Sequence, residues 1–293
     1  MKFGAHIYLW TERWSDDSLP LLERAAGLGL DYVELAGGDD VRFSPAPTRR
    51  CAEELGLALV MSPGGLWPAD CDLASPEPAQ RRKGVDWHRR LLDFCGELGA
   101  VAYAGAIYGH PGTVDRSRPP QQCRPYAADG LRVLAAHAAE RGVRLVVEPM
   151  SRFRTHVVNT PAQAVDLIRL AGHPNLGVLF DTWHMVNEVR DYAAAVRDCG
   201  DRLWGVHACG SDRALPGGDL VPWQALFGAL AQGGFDGYMA LETYNTALPG
   251  FALSRGVFRD LCPDGDEFVR RGMEFLKAGL GEVHNDRGEH EHE

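Results

Sequence analysis

Four stretches decide the fold: VRLVVEPM at 143–150, LGVLFDTWH at 176–184, LWGVHACG at 203–210 and YMALETYN at 238–245. Each is a short apolar, β-like run ending in a side chain that can bind a metal or a proton. Between them lie helix-like segments at 162–171, 189–199 and 223–232. Strand, helix and strand in regular succession imply parallel strands joined by crossover helices. The strand ends carry Glu148, Asp181, His207 and Glu242, separated by 33, 26 and 35 residues (181−148, 207−181, 242−207). That is about one strand–helix unit each, so the four side chains are expected on one rim.

The same alternation extends back to the N-terminus. Strands are predicted at 3–9, 31–35, 57–61 and 101–107, with helices at 19–28, 46–55, 76–98 and 127–141. A last helix is predicted at 265–279. Eight units without an internal boundary predict one α/β domain, a single (β/α)8 barrel over residues 1–280, in preference to an open doubly wound sheet. Residues 281–293, rich in Asp, Glu, Gly and His (His284, His290, His292), lack apolar periodicity and are expected to form a disordered, solvated tail.

Composition narrows the function. The 293 residues are 45% hydrophobic and 24% charged, as in an ordinary soluble globular protein. Forty acidic against 30 basic residues give a formal charge of −10, which argues against a nucleic-acid partner. No apolar run approaches the ~20 residues of a membrane span. The three lysines, Lys2, Lys83 and Lys277, occupy polar or terminal positions, which disfavours Schiff-base chemistry. No GxGxxG follows a strand, so no dinucleotide or other organic cofactor is expected. The seven cysteines form no CxxC pair and read as reduced thiols of a cytoplasmic protein.

In a barrel of this kind, chemistry sits at the C-terminal ends of the strands. Three carboxylates and an imidazole form an oxygen-rich set that suits Mn²⁺, Co²⁺ or Mg²⁺ better than structural zinc. Buried together, the carboxylates repel one another unless a cation joins them. A ketose presents vicinal oxygens at C2 and C3 to such an ion, which favours loss of the C3 proton to an enediolate. Glutamates on opposite faces then remove and return that proton. Glu148 and Glu242, three strands apart, are placed for this.

Longer motifs accompany these residues: ASPEPAQRRKGVDWHRRLLDFCGELGA at 74–100, EPMSRFRTHVVNT at 148–160, FDTWHM at 180–185 and HACGSDR at 207–213. LPGGDLVPWQALFGALAQGGFDGYMALE follows at 215–242 and SRGVFRD at 254–260. With the opening Trp10–Trp14 segment, the chain to about Lys277 resembles the D-tagatose 3-epimerase / D-psicose (allulose) 3-epimerase family, within the xylose-isomerase-like barrels. The resemblance implies a metal-dependent ketose 3-epimerase, with Mn²⁺ or a similar ion on Glu148, Asp181, His207 and Glu242. It implies Glu148 and Glu242 as the acid/base pair, with His184 and Arg213 beside the carbonyl oxygen at C2. It also implies a small-molecule sugar substrate and a homodimer or homotetramer built through the outer helices. Glu34, at the end of the second strand, is a further candidate for the rim.

The chain departs from that pattern in its substrate-facing positions. Arg154 stands where the family has a glutamate near O1 of the sugar, His6 where it has an apolar aromatic, and His110 where it often has tryptophan. A turn, Ser62–Pro63–Gly64–Gly65, replaces a small polar residue. These changes add donors and positive charge. They leave open a lyase, dehydratase or isomerase acting on an oxidised (3-keto), acidic or phosphorylated sugar. A multi-zinc endonuclease barrel, by contrast, needs more histidine ligands and a basic groove, and a non-catalytic sugar-binding barrel does not need the full ligand set.

Overall fold

A computed structural model of the chain describes residues 1–290, with 284–290 as helical backbone only. The expected tail at 281–293 falls mostly on side chains outside that description, and residues 291–293 lie outside it altogether. Eight strands alternate with helices: β1 Lys2–His6, α1 Pro20–Gly27, β2 Tyr32–Ala36, α2 Pro45–Leu55, β3 Ala58–Ser62, α3 Pro78–Leu98, β4 Ala102–Gly105 and α4 Pro120–Ala139. The second half runs β5 Arg144–Val147, α5 Pro161–Ala171, β6 Leu176–Asp181, α6 Thr182–Met185, α7 Tyr192–Cys199, β7 Leu203–Ala208, α8 Trp223–Gln232, β8 Tyr238–Leu241, α9 Pro249–Ser254 and α10 Gly265–His290.

All strands are parallel and the sheet closes, β1 pairing with both β2 and β8. The open doubly wound alternative is thereby excluded. Helix starts and stops follow local chemistry. Proline opens α1, α2, α3, α4 and α5, where its missing N–H costs nothing. Gly56 and Gly99 close α2 and α3 in the left-handed conformation, at φ 71° and 72°. Helices cover the outside of the barrel, so strands such as β2, β4 and β6 are buried along their whole length. No described helix is long and apolar enough to cross a membrane.

Inside the barrel, Tyr32, Val60, Ala102, Ala104, Val146, Leu179 and Ala240 pack together, all from strands. Tyr32 is accommodated because β1 has glycine opposite it: a Cβ on Gly4 would come within 2.4 Å of the tyrosine ring. Strand side chains alternate with period two. The residues two positions beyond Tyr32, Val146, Leu179 and Ala240 are Glu34, Glu148, Asp181 and Glu242, and all face the mouth of the barrel. His207 joins them from β7, in register with β6 across the Asp181–His207 pair.

Two predicted boundaries shift for physical reasons. The first strand stops at His6 rather than Leu9, because the His6 ring accepts the Tyr8 N–H and starts a 3-10 turn at Ile7–Leu9. The last helix passes Gly279, which is a packing position and not a stop. A Cβ there would come within 2.3 Å of the Phe227 ring.

Candidate metal centre and sugar pocket

Glu148, Asp181, His207 and Glu242 are buried, and one ligand atom from each lies within 4.8 Å of all the others. The His207 Nδ1 sits 2.8 Å from Glu242 Oε2, 3.7 Å from Glu148 Oε1 and 3.8 Å from Asp181 Oδ2. Despite the short approach, His207 Nδ1 and Glu242 Oε2 are buried without a hydrogen-bond partner. Ligand atoms that converge without bonding one another are the arrangement that a shared cation satisfies. Three carboxylate oxygens and one imidazole nitrogen fit a divalent ion of the oxygen-preferring class.

The surrounding residues hold this set in place. On its other edge, His207 Nε2 lies 2.8 Å from Glu34 Oε2. That carboxylate accepts the hydrogen bond of Nε2–H, which turns Nδ1 to the centre, where a bound ion would displace its proton. Asp181 caps α6 with Oδ1, accepting from the Trp183 and His184 N–H groups at 2.8 and 3.1 Å, and so turns Oδ2 inward. Arg213 donates from Nη1 to that Oδ2 at 2.5 Å and approaches Glu242 Oε2 with Nη2 at 2.9 Å. Its backbone has φ 71°, and among the described residues it is the one non-glycine with positive φ. Strain of this kind collects at functional sites. The single Tyr108 hydroxyl proton is shared between the carbonyls of Glu148 and Val158, at 3.0 and 3.1 Å, fixing the end of β5.

Electrostatics follow from burial and charge. Burial raises Glu148 to about 7, against the opposing pull of His207. Burial also works to raise Asp181 and Glu242. For Asp181, Arg213, His184 and His207 override it and hold the group well below the usual carboxylate range. For Glu242, Arg213 and His207 bring it down to about 2. Burial disfavours a charged His207, yet Glu34 and the ligand carboxylates keep it protonated well above the ordinary range. The site thus attracts positive charge strongly.

The centre forms the floor of a cavity of about 740 Å³. His6, His184, Arg213 and Arg154 line it, as does Trp183. Burial pushes His6 and His184 down to about 4, so both are neutral. Each ring accepts a backbone N–H at Nδ1: His6 from Tyr8 and His184 from Ser151. The proton is left on Nε2. His184 Nε2 then lies 3.9 Å from Glu148 Oε1, and His6 Nε2 lies 3.3 Å from Ser62 Oγ.

Two expected contacts are placed elsewhere. His110 does not line the cavity. Its Nε2 is 3.0 Å from the Trp67 carbonyl and its Nδ1 3.2 Å from Thr113 Oγ1, so its polar atoms are spent on the loop. Glu34 is buried behind His207 and does not line the cavity.

Residues 22–278 match the model of the xylose isomerase-like TIM barrel family. The chain belongs to that family. Among its relatives, this xylose isomerase-like barrel is 29% identical over 292 residues to the D-psicose 3-epimerase of Agrobacterium fabrum, covering 96% of this chain and 100% of the relative. It is also 29% identical over 290 residues to the ketose 3-epimerase of Arthrobacter globiformis, covering 96% and 97%. A solved L-ribulose 3-epimerase superposes with a TM-score of 0.90 at 25% identity, covering 98% of this chain and 97% of that one.

One feature of this xylose isomerase-like barrel escaped the sequence reading. Arg255, just after α9, donates to the Gly64 carbonyl at 2.6 Å and to the Tyr8 hydroxyl at 3.0 Å. Tyr8 itself donates to the Gly64 carbonyl at 2.7 Å and stacks on His6 at 3.9 Å. The loops after β1, β3 and β8 are thereby tied into one wall. The motif SRGVFRD marked the segment, but nothing in it announces partners some 190 and 250 residues away.

Proposed function

We propose that the protein is a metal-dependent ketose 3-epimerase, inverting the configuration at C3 of a 2-ketose by proton removal and return. The observation that carries this reading is the convergence of four ligand atoms on one point in a pocket lined by neutral histidines. Relatives named as 3-epimerases, aligned over nearly the whole chain, support it.

Glu148, Asp181, His207 and Glu242 would hold the metal; Mn²⁺ is the first choice, with Co²⁺ or Mg²⁺ as substitutes. When bound, the ion supplies Lewis-acid polarisation of the C2 carbonyl and stabilises negative charge that develops there. The chain's residues do the rest. One of Glu148 and Glu242 takes the proton from C3, and the C–H electrons become the C2–C3 double bond of an enediolate. The other glutamate returns a proton to the opposite face of C3. His184, with its proton on Nε2, donates to the oxygen at C2. Arg213 holds Asp181 and Glu242 in place and adds positive charge beside the same oxygen. His6 bounds the sugar on the β1 side.

The seven free cysteines support a reducing, cytoplasmic setting. The family resemblance supports a homodimer or homotetramer formed through the outer helices.

Proton NMR in D₂O with Mn²⁺-loaded protein tests the reading. Deuterium appearing at C3 of D-fructose, D-tagatose or D-psicose, with the epimer accumulating, is expected. Glu148→Gln and Glu242→Gln should each lower kcat by about 10²–10⁴-fold. Exchange at C1 without exchange at C3, or an unsaturated product, overturns it.

A further inference from the structure

Five arginines line the cavity: Arg13, Arg154, Arg213, Arg255 and Arg259. Four are committed to the protein. Arg13 pairs with Glu12 at 2.8 Å and Asp40 at 2.7 Å, and Arg259 with Asp212 at 2.5 Å. Arg213 is bound to Asp181 and Glu242, and Arg255 to Tyr8 and Gly64. Arg154 is exposed at the mouth of the cavity, and among the described residues its guanidinium enters no hydrogen bond, ion pair or ring contact.

Its backbone, in contrast, is pinned. The Arg154 N–H donates to the Ser151 carbonyl at 2.8 Å, and its own carbonyl accepts from Gly112 at 2.7 Å. The same turn supplies the Ser151 N–H that orients His184. A fixed base therefore carries a free five-donor cation on the wall that also holds a substrate-facing histidine.

We propose that the substrate is a ketose bearing an oxyanion, a carboxylate or a phosphate, away from C2 and C3, and that Arg154 is the specificity-determining residue that binds it. The inference rests on the epimerase reading above. A planar guanidinium binds either anion through paired, charge-assisted hydrogen bonds, which neutral hydroxyls return less strongly. Space allows it. At ~30 Å³ per liquid water the cavity holds roughly two dozen waters, whereas a free six-carbon ketose has only twelve non-hydrogen atoms.

The test compares D-fructose, D-fructose 6-phosphate and the corresponding C6 carboxylate on the full, Mn²⁺-loaded chain, by C3 deuterium exchange with kcat and KM resolved. One anionic sugar should exceed the neutral one by about 100-fold in kcat/KM, and which one does so separates phosphate from carboxylate. Arg154→Gln should reduce that ratio by about 100-fold, mainly through KM, and Arg154→Lys should restore part of it. A wild type that prefers the neutral ketose, or a ratio unchanged in Arg154→Gln, overturns the proposal. Should no ketose exchange at all, the epimerase reading fails and binding decides this one separately. Trp67 and Trp183 line the cavity, so sugar phosphate and sugar carboxylate are titrated against tryptophan fluorescence. Saturable quenching by either, weakened in Arg154→Gln, supports an anion site; its absence for both overturns it.

Discussion

Glu34 shows how a residue one step behind the centre governs it. Its carboxylate meets His207 Nε2 at 2.8 Å and is 1% exposed. Without that acceptor, the imidazole can put its proton on Nδ1, where the lone pair is needed. Glu34→Gln should weaken Mn²⁺ binding by about 10–100-fold while the circular dichroism spectrum is kept, measured by competition with a chelator. The ligands themselves were legible, because each ends a strand and period two turns it inward. The role of Glu34 was not, because its partner is 173 residues away. Likewise His110 looked like a pocket donor until its loop folded back on Trp67. His88 offers a second test. It meets the stacked pair Trp67 and Trp87 edge-on, with Nδ1 2.9 Å from the Tyr103 hydroxyl and Nε2 unpartnered. Burial lowers it to about 3 from an ordinary 6.5. The unfolded chain therefore binds the extra proton first as pH falls. The stability due to neutral His88 is complete above pH ~6.5 and is lost progressively towards pH 3. His88→Leu should flatten that part of the Tm–pH curve, although it lowers Tm at all pH values by leaving the Tyr103 hydroxyl unpaired.

Loops, more than strands or helices, define the sugar-facing wall. The Tyr8–Gly64–Arg255 contact joins three of them, and Gly64 has no room for a side chain. An added Cβ would come within 2.3 Å of the Tyr8 hydroxyl and 3.0 Å of the Ala36 Cβ. Gly64→Ala should therefore cost about 1–3 kcal/mol, roughly 2–4 °C in Tm for each kcal/mol. By moving Tyr8 off His6 it should raise KM more than it lowers kcat, which calorimetry and steady-state kinetics check together. Elements themselves were largely legible, since alternation, Pro starts and Gly stops agree with one another. The exceptions have local causes. Helix α4 starts at Pro120 and runs through Pro125, a residue that ordinarily ends a helical reading. The sequence alone therefore placed that helix seven residues late, at Ala127.

For the molecule as a whole, an ion bound only by the native state stabilises by mass action. At one hundred times Kd the gain is about 2.7 kcal/mol. Chelation should lower Tm, and restoring Mn²⁺ should recover it, as differential scanning calorimetry would show. Six of the seven free cysteines are buried; Cys51 is partly exposed. A thiol reagent should find one fast site in the native protein and seven after unfolding, an internal gauge of how intact the barrel is.

Closure of the sheet also sets an order of events during synthesis. The first strand pairs with Tyr238–Leu241, and the fourth ligand, Glu242, follows immediately. Until that segment leaves the ribosome, the nascent chain is an open sheet with two free edges, β1 and β7, and an incomplete coordination set. Capture of the ion is then a late step of maturation, and chains cut short before residue 238 lack both the edge partner and the last ligand.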